Sequence, residues 1–220
     1  MTTYGKDVIL RVLSITLIID AAAYFINISW LKILLLILSI LLFGFTLYFF
    51  RDPNREIPAN ITDDTVLSPA DGKIVQINDI EYSNDNFFSK GERLKQISIF
   101  LSPLNVHVNR IPVSGIINFY KYIHGEYIVA FDNKSSDRNE RTEIGIVSKN
   151  NKKILFKQIA GFVARRIVCE LKEKQSVSGG DKFGMIKFGS RVDIFVKPDS
   201  NIIVKNGDKV TGGESIIAEL

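Results

Sequence analysis

The sequence is poor in the residues that build disulfides and metal sites. It has one cysteine, Cys169, and two histidines, His107 and His124, among 220 residues. One thiol cannot form an internal disulfide, and no second thiol is available to share a metal ion. The composition therefore predicts a protein of a reducing compartment, without a bound metal, in which Cys169 is a buried apolar residue.

Dense runs of one charge are also lacking. The formal net charge is +4 and the isoelectric point is about 9.0, but no cluster of Lys and Arg is long enough for a nucleic-acid-binding arm. No nucleic-acid partner is expected. The mild positive excess fits the surface of an anionic membrane, and it fits an ordinary solvated surface equally well.

What the sequence has in abundance is an apolar N-terminus. The stretch from Ile33 to Phe50 is uncharged and approaches the ~20 residues that a helix needs to span a bilayer. The preceding stretch from Val12 to Trp30 is weaker because it contains Asp20. With the short join around residues 27–29, the two predict a membrane-associated helical hairpin over residues 1–52. Neither stretch ends in a small-residue cleavage site, so removal as a signal peptide is not expected.

The charges that flank the hairpin predict its orientation. Lys6 and Arg11 precede it, Arg51 and Arg55 follow it, and Lys32 near the join is the opposing signal. The excess of Lys and Arg at the outer ends places both ends, and the domain that follows, on the cytoplasmic side of the cell membrane. A hairpin that enters only one leaflet is the alternative.

Beyond the proline-containing linker RDPNREIP, the pattern is that of β-strands. KQISIFLS places Ile97, Ile99 and Leu101 on one face, and SRVDIFVK does the same for Val192, Ile194 and Val196. NVHVNRIPVSG and ILFKQIAGFVARRIVCEL read as further strands, and no long helical period follows residue 55. Residues 53–220 are therefore predicted to form one mainly β domain.

Two stretches within this domain share a turn-and-strand pattern. SPADGKIVQI and VKNGDKVTGGESIIAEL are similar to the repeats of barrel-sandwich hybrid domains, such as the biotinyl and lipoyl carriers. Carriers need a lysine at a hairpin tip, and no comparable tip is found here. The pattern predicts a barrel-sandwich-hybrid-like fold rather than a carrier function.

Five motifs then occur in order: LSPADGKI (67–74), IFLSPLNVHVNRIPVSG (99–115), NER (139–141), IAGFVARRIV (159–168) and GMIKFGSRVD (184–193). Together they resemble the phosphatidylserine decarboxylases of the short prokaryotic type, a pyruvoyl-dependent family. The resemblance covers about residues 51–220, and an apolar N-terminus also suits that family.

The resemblance implies a proenzyme that cuts its own backbone between Gly189 and Ser190, giving a large chain 1–189 and a small chain 190–220. Ser190 would become the pyruvoyl group, the covalently bound cofactor, and no metal would be needed. This ketone would condense with the amine of phosphatidylserine and accept the charge left when CO₂ departs, so that phosphatidylethanolamine is released. The implied partners are a membrane phospholipid and the two chains of one proenzyme, with a higher oligomer also open.

A hydroxyl needs a base to become a nucleophile, and the family places an Asp and a His with the Ser. The matching positions are Asp71 and His107. Arg110 stands where larger bacterial members have a second His, so it stays open whether His107 serves self-cleavage, decarboxylation or both. Without the other motifs, Asp71 reads as a turn aspartate and His107 as a surface histidine of a strand.

The substrate phosphate suits a guanidinium. Arg165 and Arg166 are adjacent, so on a strand at most one of them enters the site. Asn139 and Arg141 are further candidates to shape the pocket, and His124 is expected in a loop. Two other functions stay open: a pyruvoyl decarboxylase of a soluble amino acid, and a membrane-tethered adaptor with an intact backbone.

Overall fold

The structure, a computed structural model, describes residues 1–125, 139–161, 166–187 and 190–220, with Ser190 described by its main chain. The chain divides into two compact units, Met1–Pro53 and Asn54–Leu220. The first is helical and the second consists of β-strands and loops. The protein is thus mainly β, as the alternating patterns predict.

The N-terminal unit is a helical hairpin. A short 3₁₀ turn, Thr3–Gly5, leads into α1 (Lys6–Tyr24), and α2 (Ser29–Phe49) returns alongside it. The open end of the hairpin is closed by a hydrogen bond of 3.0 Å from the Thr2 amide to the Phe50 carbonyl. The helical hairpin of the predicted fold is confirmed, and α1 begins earlier than the apolar pattern indicated.

The hairpin reverses the usual distribution of polarity. Thr16, Ser39 and Thr46 are buried, whereas Ile18 and Ile40 are 68% and 70% exposed. The buried threonine hydroxyls donate to carbonyls of their own helices, so they need no partner across the contact. Small polar residues inside and apolar residues outside are typical of helices that pack together within lipid. Among the described helices, α2 alone is long and apolar enough to cross a bilayer, by length and composition, with a mean hydropathy of 2.4.

The second unit is built around an eight-stranded sheet that curls into a half barrel. Its strands, in spatial order, are β13 (Lys209–Val210), β2 (Gly72–Glu81), β3 (Arg93–Leu101), β11 (Ser190–Val196), β7 (Lys153–Ala160), β6 (Arg141–Ser148), β5 (Gly115–Ile123) and β9 (Ser176–Val177). All seven neighbouring pairs are antiparallel.

Two three-stranded sheets complete this unit. One has the order β1 (Thr65–Leu67), β14 (Ile216–Glu219) and β12 (Asn201–Ile202); the other has the order β4 (Val108–Arg110), β10 (Lys182–Lys187) and β8 (Arg166–Cys169). In the second sheet β8 approaches β10 very closely. A Cβ on Gly184 would lie 2.0 Å from the Val168 carbonyl oxygen, so only glycine fits this position.

The core lies on the face of the large sheet that the period-2 patterns predicted. Ile97, Ile99 and Leu101 are fully buried, and so are Val192, Ile194 and Val196 on the adjacent strand. A smaller aromatic cluster containing Phe87, Phe88 and Phe195 packs on the other face. The sheet is therefore buried on both sides along β11.

The two turn-and-strand stretches that were compared with hybrid domains pack against each other. Strand β2 of the first stretch pairs with β13 of the second, and β1, which directly precedes the first stretch, pairs with β14. The turns also interlock, because the Gly213 amide donates to the Ser68 carbonyl over 2.8 Å. Gly213 has a φ of +79°, a conformation in which glycine is favoured. Thus both ends of the domain sequence form one compact corner.

Candidate active site

Ser190 begins the strand at the centre of the large sheet. Its main chain is paired with Leu101, the last residue of β3, on one side and with Ala160, the last residue of β7, on the other. This end of the sheet therefore gathers the start of β11 and the ends of its two neighbours. Gly189, the other half of the predicted cleavage site, lies outside the described residues.

His107 lies in a loop between two strands, β3 and β4. One of them pairs with the strand after the predicted cleavage site, and the other pairs with the strand before it. The loop, residues 102–107, begins after Leu101, the partner of Ser190, and ends before Val108, the partner of Met185 in β10. Because β4 and β10 are antiparallel, the start of β4 lies toward the end of β10 that leads to Ser190. Pairing on both sides of the loop thus brings His107 toward the predicted cut.

The surroundings of His107 select one tautomer. The imidazole is fully buried, and its Nδ1 lies 2.9 Å from the carbonyl oxygen of Asn105. A carbonyl only accepts hydrogen bonds, so neutral His107 carries its proton on Nδ1 and presents the lone pair on Nε2. The alternative of a surface strand histidine is wrong, since the residue is buried and precedes the strand.

Asp71 occupies the bend before β2, where its carboxylate holds two other parts of the unit. Its Oδ1 accepts from the Gly212 amide over 2.9 Å, and its Oδ2 lies 2.7 Å from Nη2 of Arg55. The orienting group described for His107 is thus a main-chain carbonyl, while the Asp71 carboxylate is engaged by a guanidinium and an amide. Arg55, in the predicted linker, was not anticipated as its partner.

Asn139 contacts Ala160, the residue that pairs with Ser190 in the sheet. Its side-chain Nδ2 donates to the Ala160 carbonyl over 2.7 Å, and the next residue, Glu140, accepts from the Ala160 amide. Asn139 therefore fixes the residue that pairs with Ser190. Arg141 behaves differently, because its Nε lies 3.0 Å from Oε1 of Glu143 on the neighbouring part of β6.

Of the two adjacent arginines, Arg165 lies outside the described residues. Arg166 is the exposed first residue of β8 and stands directly opposite Lys187, which is buried, three positions before Ser190. Arg110, at the position of the second family His, instead donates to the Gly180 carbonyl over 2.8 Å. His124 lies just beyond β5 and packs edge-on against Tyr122.

Sequence reasoning missed a buried polar network directly after Ser190. Nε of Arg191 lies 2.6 Å from Oδ1 of Asp193, its Nη2 donates to Ser98, and Gln96 donates to Asp193. The i, i+2 spacing of Arg and Asp on one strand face was the available signal. The network lies on the opposite face of β11 from Val192 and fixes the first residues of that strand.

A cleft of about 630 Å³ opens beside the loop that carries His107. It is lined by Ser102 and Asn105 of that loop, by Asp71, and by Lys73 and Lys209. The two lysines were not predicted from the sequence. Elsewhere, burial raises the pKa of the Cys169 thiol to about 11, which makes the lone cysteine a poor nucleophile.

The fold and this arrangement define a mainly β unit with a buried imidazole beside the start of its central strand. The family model for phosphatidylserine decarboxylase matches residues 42–218. This chain belongs to the phosphatidylserine decarboxylase family, a family of decarboxylase enzymes.

Curated relatives match from 79% to 99% of this chain. The phosphatidylserine decarboxylase proenzyme of Pelodictyon phaeoclathratiforme is 42% identical, covering 99% of this chain and 98% of the relative. That of Cytophaga hutchinsonii is 46% identical over 89% of this chain and 86% of the relative. That of the Wolbachia of Brugia malayi is 49% identical over 79% of this chain and 74% of the relative.

Proposed function

We propose that this protein decarboxylates phosphatidylserine to phosphatidylethanolamine and CO₂. The observation that carries the proposal is the position of Ser190 in a chain of this family: it opens the central strand, and the loop of a buried histidine is attached on both sides of it. The names of the relatives, which specify a proenzyme, support a self-processing origin of the active form.

The processing step is proposed at the Gly189–Ser190 bond. Ser190 Oγ attacks the Gly189 carbonyl carbon as the C–N bond breaks, which gives an ester and a free amine on Ser190. Removal of the Ser190 α-proton then breaks the bond between Cβ and Oγ of Ser190. This releases the Gly189 carboxylate and leaves dehydroalanine at position 190. Water then adds and ammonia departs, so the small chain 190–220 begins with a ketone.

The residues around Ser190 fit a pyruvoyl group that is formed from Ser190 itself. The main chain of Ser190 is held by pairing with Leu101 and Ala160, so the new chain start needs no separate binding site. The pyruvoyl group supplies an electron sink for the pair of electrons left by the departing CO₂. The remaining requirements, binding the lipid and moving protons, fall to side chains.

His107 is the proposed proton carrier. Its Nε2 bears the lone pair when Nδ1 donates to Asn105, so it can take the proton from Ser190 Oγ during self-cleavage. Asp71 is proposed as a positioning residue rather than a direct hydrogen-bond partner of the imidazole. It shares the cleft with Asn105 and ties the adjoining turns to Arg55 and Gly212.

The substrate-binding side chains are proposed from the same end of the sheet. Asn139 supports the partner of Ser190, and Arg166 lies opposite Lys187 near the cut. Arg166 is the described arginine available to an anionic group of the headgroup. Arg165 and Arg141 stay candidates from the sequence, although the Arg141 guanidinium is already paired with Glu143.

We also propose that the hairpin holds the enzyme at the cell membrane with the second unit, Asn54–Leu220, on the cytoplasmic side. The apolar outer surface of α1 and α2 supports membrane attachment, and the basic flanks support the orientation. After cleavage, the large and small chains stay together as a heterodimer, and assembly into a higher oligomer is compatible with this arrangement.

The test combines mass and product measurements on the purified chain. We expect a large and a small species on denaturing electrophoresis, with the small chain blocked to Edman sequencing, and CO₂ release from phosphatidylserine but not from free serine. Ser190→Ala should yield one full-length, inactive species. A wild-type protein of a single intact mass that matches the variant would exclude the self-processing proposal, and turnover of free amino acids alone would exclude the lipid substrate.

A further inference from the structure

The cleft beside the His107 loop has a strongly basic side. Lys73 is the second residue of β2, and Lys209 lies directly opposite it in β13. Both side chains are exposed and both line the cleft. Opposite residues of an antiparallel pair project to the same face with Cβ atoms about 5 Å apart. The two ammonium groups can therefore reach one anion.

The two lysine side chains form no ion pair within the described residues. Neither the Lys73 nor the Lys209 side chain donates a hydrogen bond to any residue that the structure describes. Like charges directly opposite each other in a sheet are unfavourable. Asp71 is the acidic group that lines the cleft, and its charge is already offset by Arg55 at 2.7 Å. The cleft thus presents two unpaired ammonium groups, while its one acidic lining residue, Asp71, is already paired with Arg55.

The cleft lies near the start of β11, because Ser102 and Asn105 line it and follow Leu101, the partner of Ser190. Lys73 pairs with Phe100 in β3, and Phe100 pairs with Arg191, the residue after Ser190. Two strand spacings of ~4.8 Å place the backbone of Lys73 about 10 Å from that of Arg191. The side chains of Lys73 and Arg191 project from the same face of the sheet. In phosphatidylserine only the short serine skeleton separates the phosphodiester from the reacting amine.

We infer that Lys73 and Lys209 bind the phosphodiester of the lipid headgroup whose amine is presented at residue 190. This inference rests on the proposed function, and it assigns the phosphate to the lysine pair. Compact ammonium charges suit a phosphate that must leave with the product, since they bind it as point charges. Arg166, on the other sheet, is then available to the second anionic group, the carboxylate.

The experiment uses the full chain with Lys73→Met, Lys209→Met and the double substitution. Lys90→Met, which removes an exposed lysine far from the cleft in sequence, is the matched control. The cleaved fraction is measured first, and rates are given per small chain. With a short-chain, monomeric phosphatidylserine we expect KM to rise about tenfold for each single variant and about 100-fold for the double variant, with smaller losses in kcat. Lys90→Met should match the wild type.

Inorganic phosphate serves as a direct probe of the site. It should compete with the monomeric substrate in the wild type and lose this effect in the double variant, while Lys73→Arg with Lys209→Arg should retain it. If a methionine variant does not undergo self-cleavage, the wild type and the double arginine variant still test the inference. If inorganic phosphate does not compete with the substrate in these two proteins, the inference is overturned.

Three results contradict the lysine assignment while leaving the decarboxylase proposal intact. One is an unchanged KM in the double variant, and another is phosphate competition that persists in the double variant. The third is an effect seen only with vesicles, which would indicate attraction to the bilayer surface. By contrast, a wild type that releases no CO₂ from phosphatidylserine would refute the proposed function itself.

Discussion

At the scale of single residues, His107 has the environment of a proton carrier with a fixed orientation. Its imidazole is buried, and the Asn105 carbonyl holds the proton on Nδ1. The loop that carries the proposed base thus also supplies the carbonyl that orients it. This separates the orientation of the ring from Asp71, which holds Arg55 and Gly212 together.

His107→Asn should therefore slow self-cleavage while keeping the fold. The asparagine amide can still donate near the Asn105 carbonyl, but it has no titratable nitrogen. General-base assistance contributes about 10²–10⁴-fold, so appearance of the small chain should slow by at least about 100-fold. Pulse-labelling followed by electrophoresis measures this rate. His124→Ala, which alters an exposed loop residue, is the control, and equal slowing in both variants would contradict the assignment.

The sequence predicts these residues unequally. Strand alternation was enough to place Ile99 and Val192 in the core, because a period of two depends only on neighbours in the chain. The burial of His107 was not predictable in this way, since it results from β3, β4 and β10 meeting at one loop. The facing of Lys73 and Lys209 likewise depends on the register of strands from opposite ends of the domain sequence.

At the scale of elements, β11 combines an apolar face with a charged one. Val192 and Ile194 enter the core, while Arg191 and Asp193 form an ion pair on the opposite face with almost no exposure. Burying such a pair costs desolvation of both charges, but removing one partner costs more because it leaves the other charge buried. The pair therefore fixes the strand that Ser190 begins.

Arg191→Met should destabilise the uncleaved protein by about 3–5 kcal/mol, because Asp193 loses its guanidinium. Urea unfolding in a Ser190→Ala background measures this without interference from processing. Replacing both partners with apolar residues should recover most of the loss. Lys197→Met, just beyond the strand and half exposed, is expected to change the free energy of unfolding by less than about 1 kcal/mol. A neutral Arg191→Met would contradict the role assigned to the pair.

The neighbouring strands carry a second charged cluster that predicts acid sensitivity. Burial alone would raise the pKa of Glu143, but Lys157 and Arg141, each within 3.0 Å, outweigh it, so the pKa lies below its usual value. A carboxyl whose pKa is lower in the folded state stabilises the protein above the unfolded pKa. That stability is lost as the pH falls through the folded pKa.

Glu143→Gln should consequently flatten the acidic limb of the stability profile. As the pH is lowered below about 5, the free energy of unfolding of the parent should decrease more steeply than that of the variant. Denaturant unfolding at pH 7 and at acidic pH compares the two. Asp63→Asn, which removes an exposed partner of Lys149, is the control, and parallel profiles for Glu143→Gln and its parent would refute the expectation.

At the scale of the whole molecule, the two units expose different surfaces. The helical hairpin turns isoleucine and leucine outward and hides threonine and serine, whereas the second unit buries its aliphatic residues. Such a division is expected of a chain in which one unit meets lipid and the other meets water. A lipid substrate gives this division an evident purpose.

Charges on the outer face of α2 should release the protein from membranes. Ile37 and Leu41 are 50% and 63% exposed and one helical turn apart. Replacing both with Lys costs about 2.5–3.5 kcal/mol for each residue at the centre of a membrane helix. We expect the variant to leave the membrane pellet after an alkaline wash, while Ile203→Lys, an equally exposed site of the second unit, stays with it. Retention of both would argue against attachment through α2.

The central place of β11 predicts an unusual folding reaction for a chain that is cut at the proposed site. Seven residues of the proposed small chain would lie between two strands of the large chain, so separating the products would require breaking hydrogen bonds on both edges. Once unfolded, the cut protein would have to reassemble from two molecules. Its refolding should follow second-order kinetics and fail on dilution, whereas the Ser190→Ala precursor should refold at a rate independent of concentration.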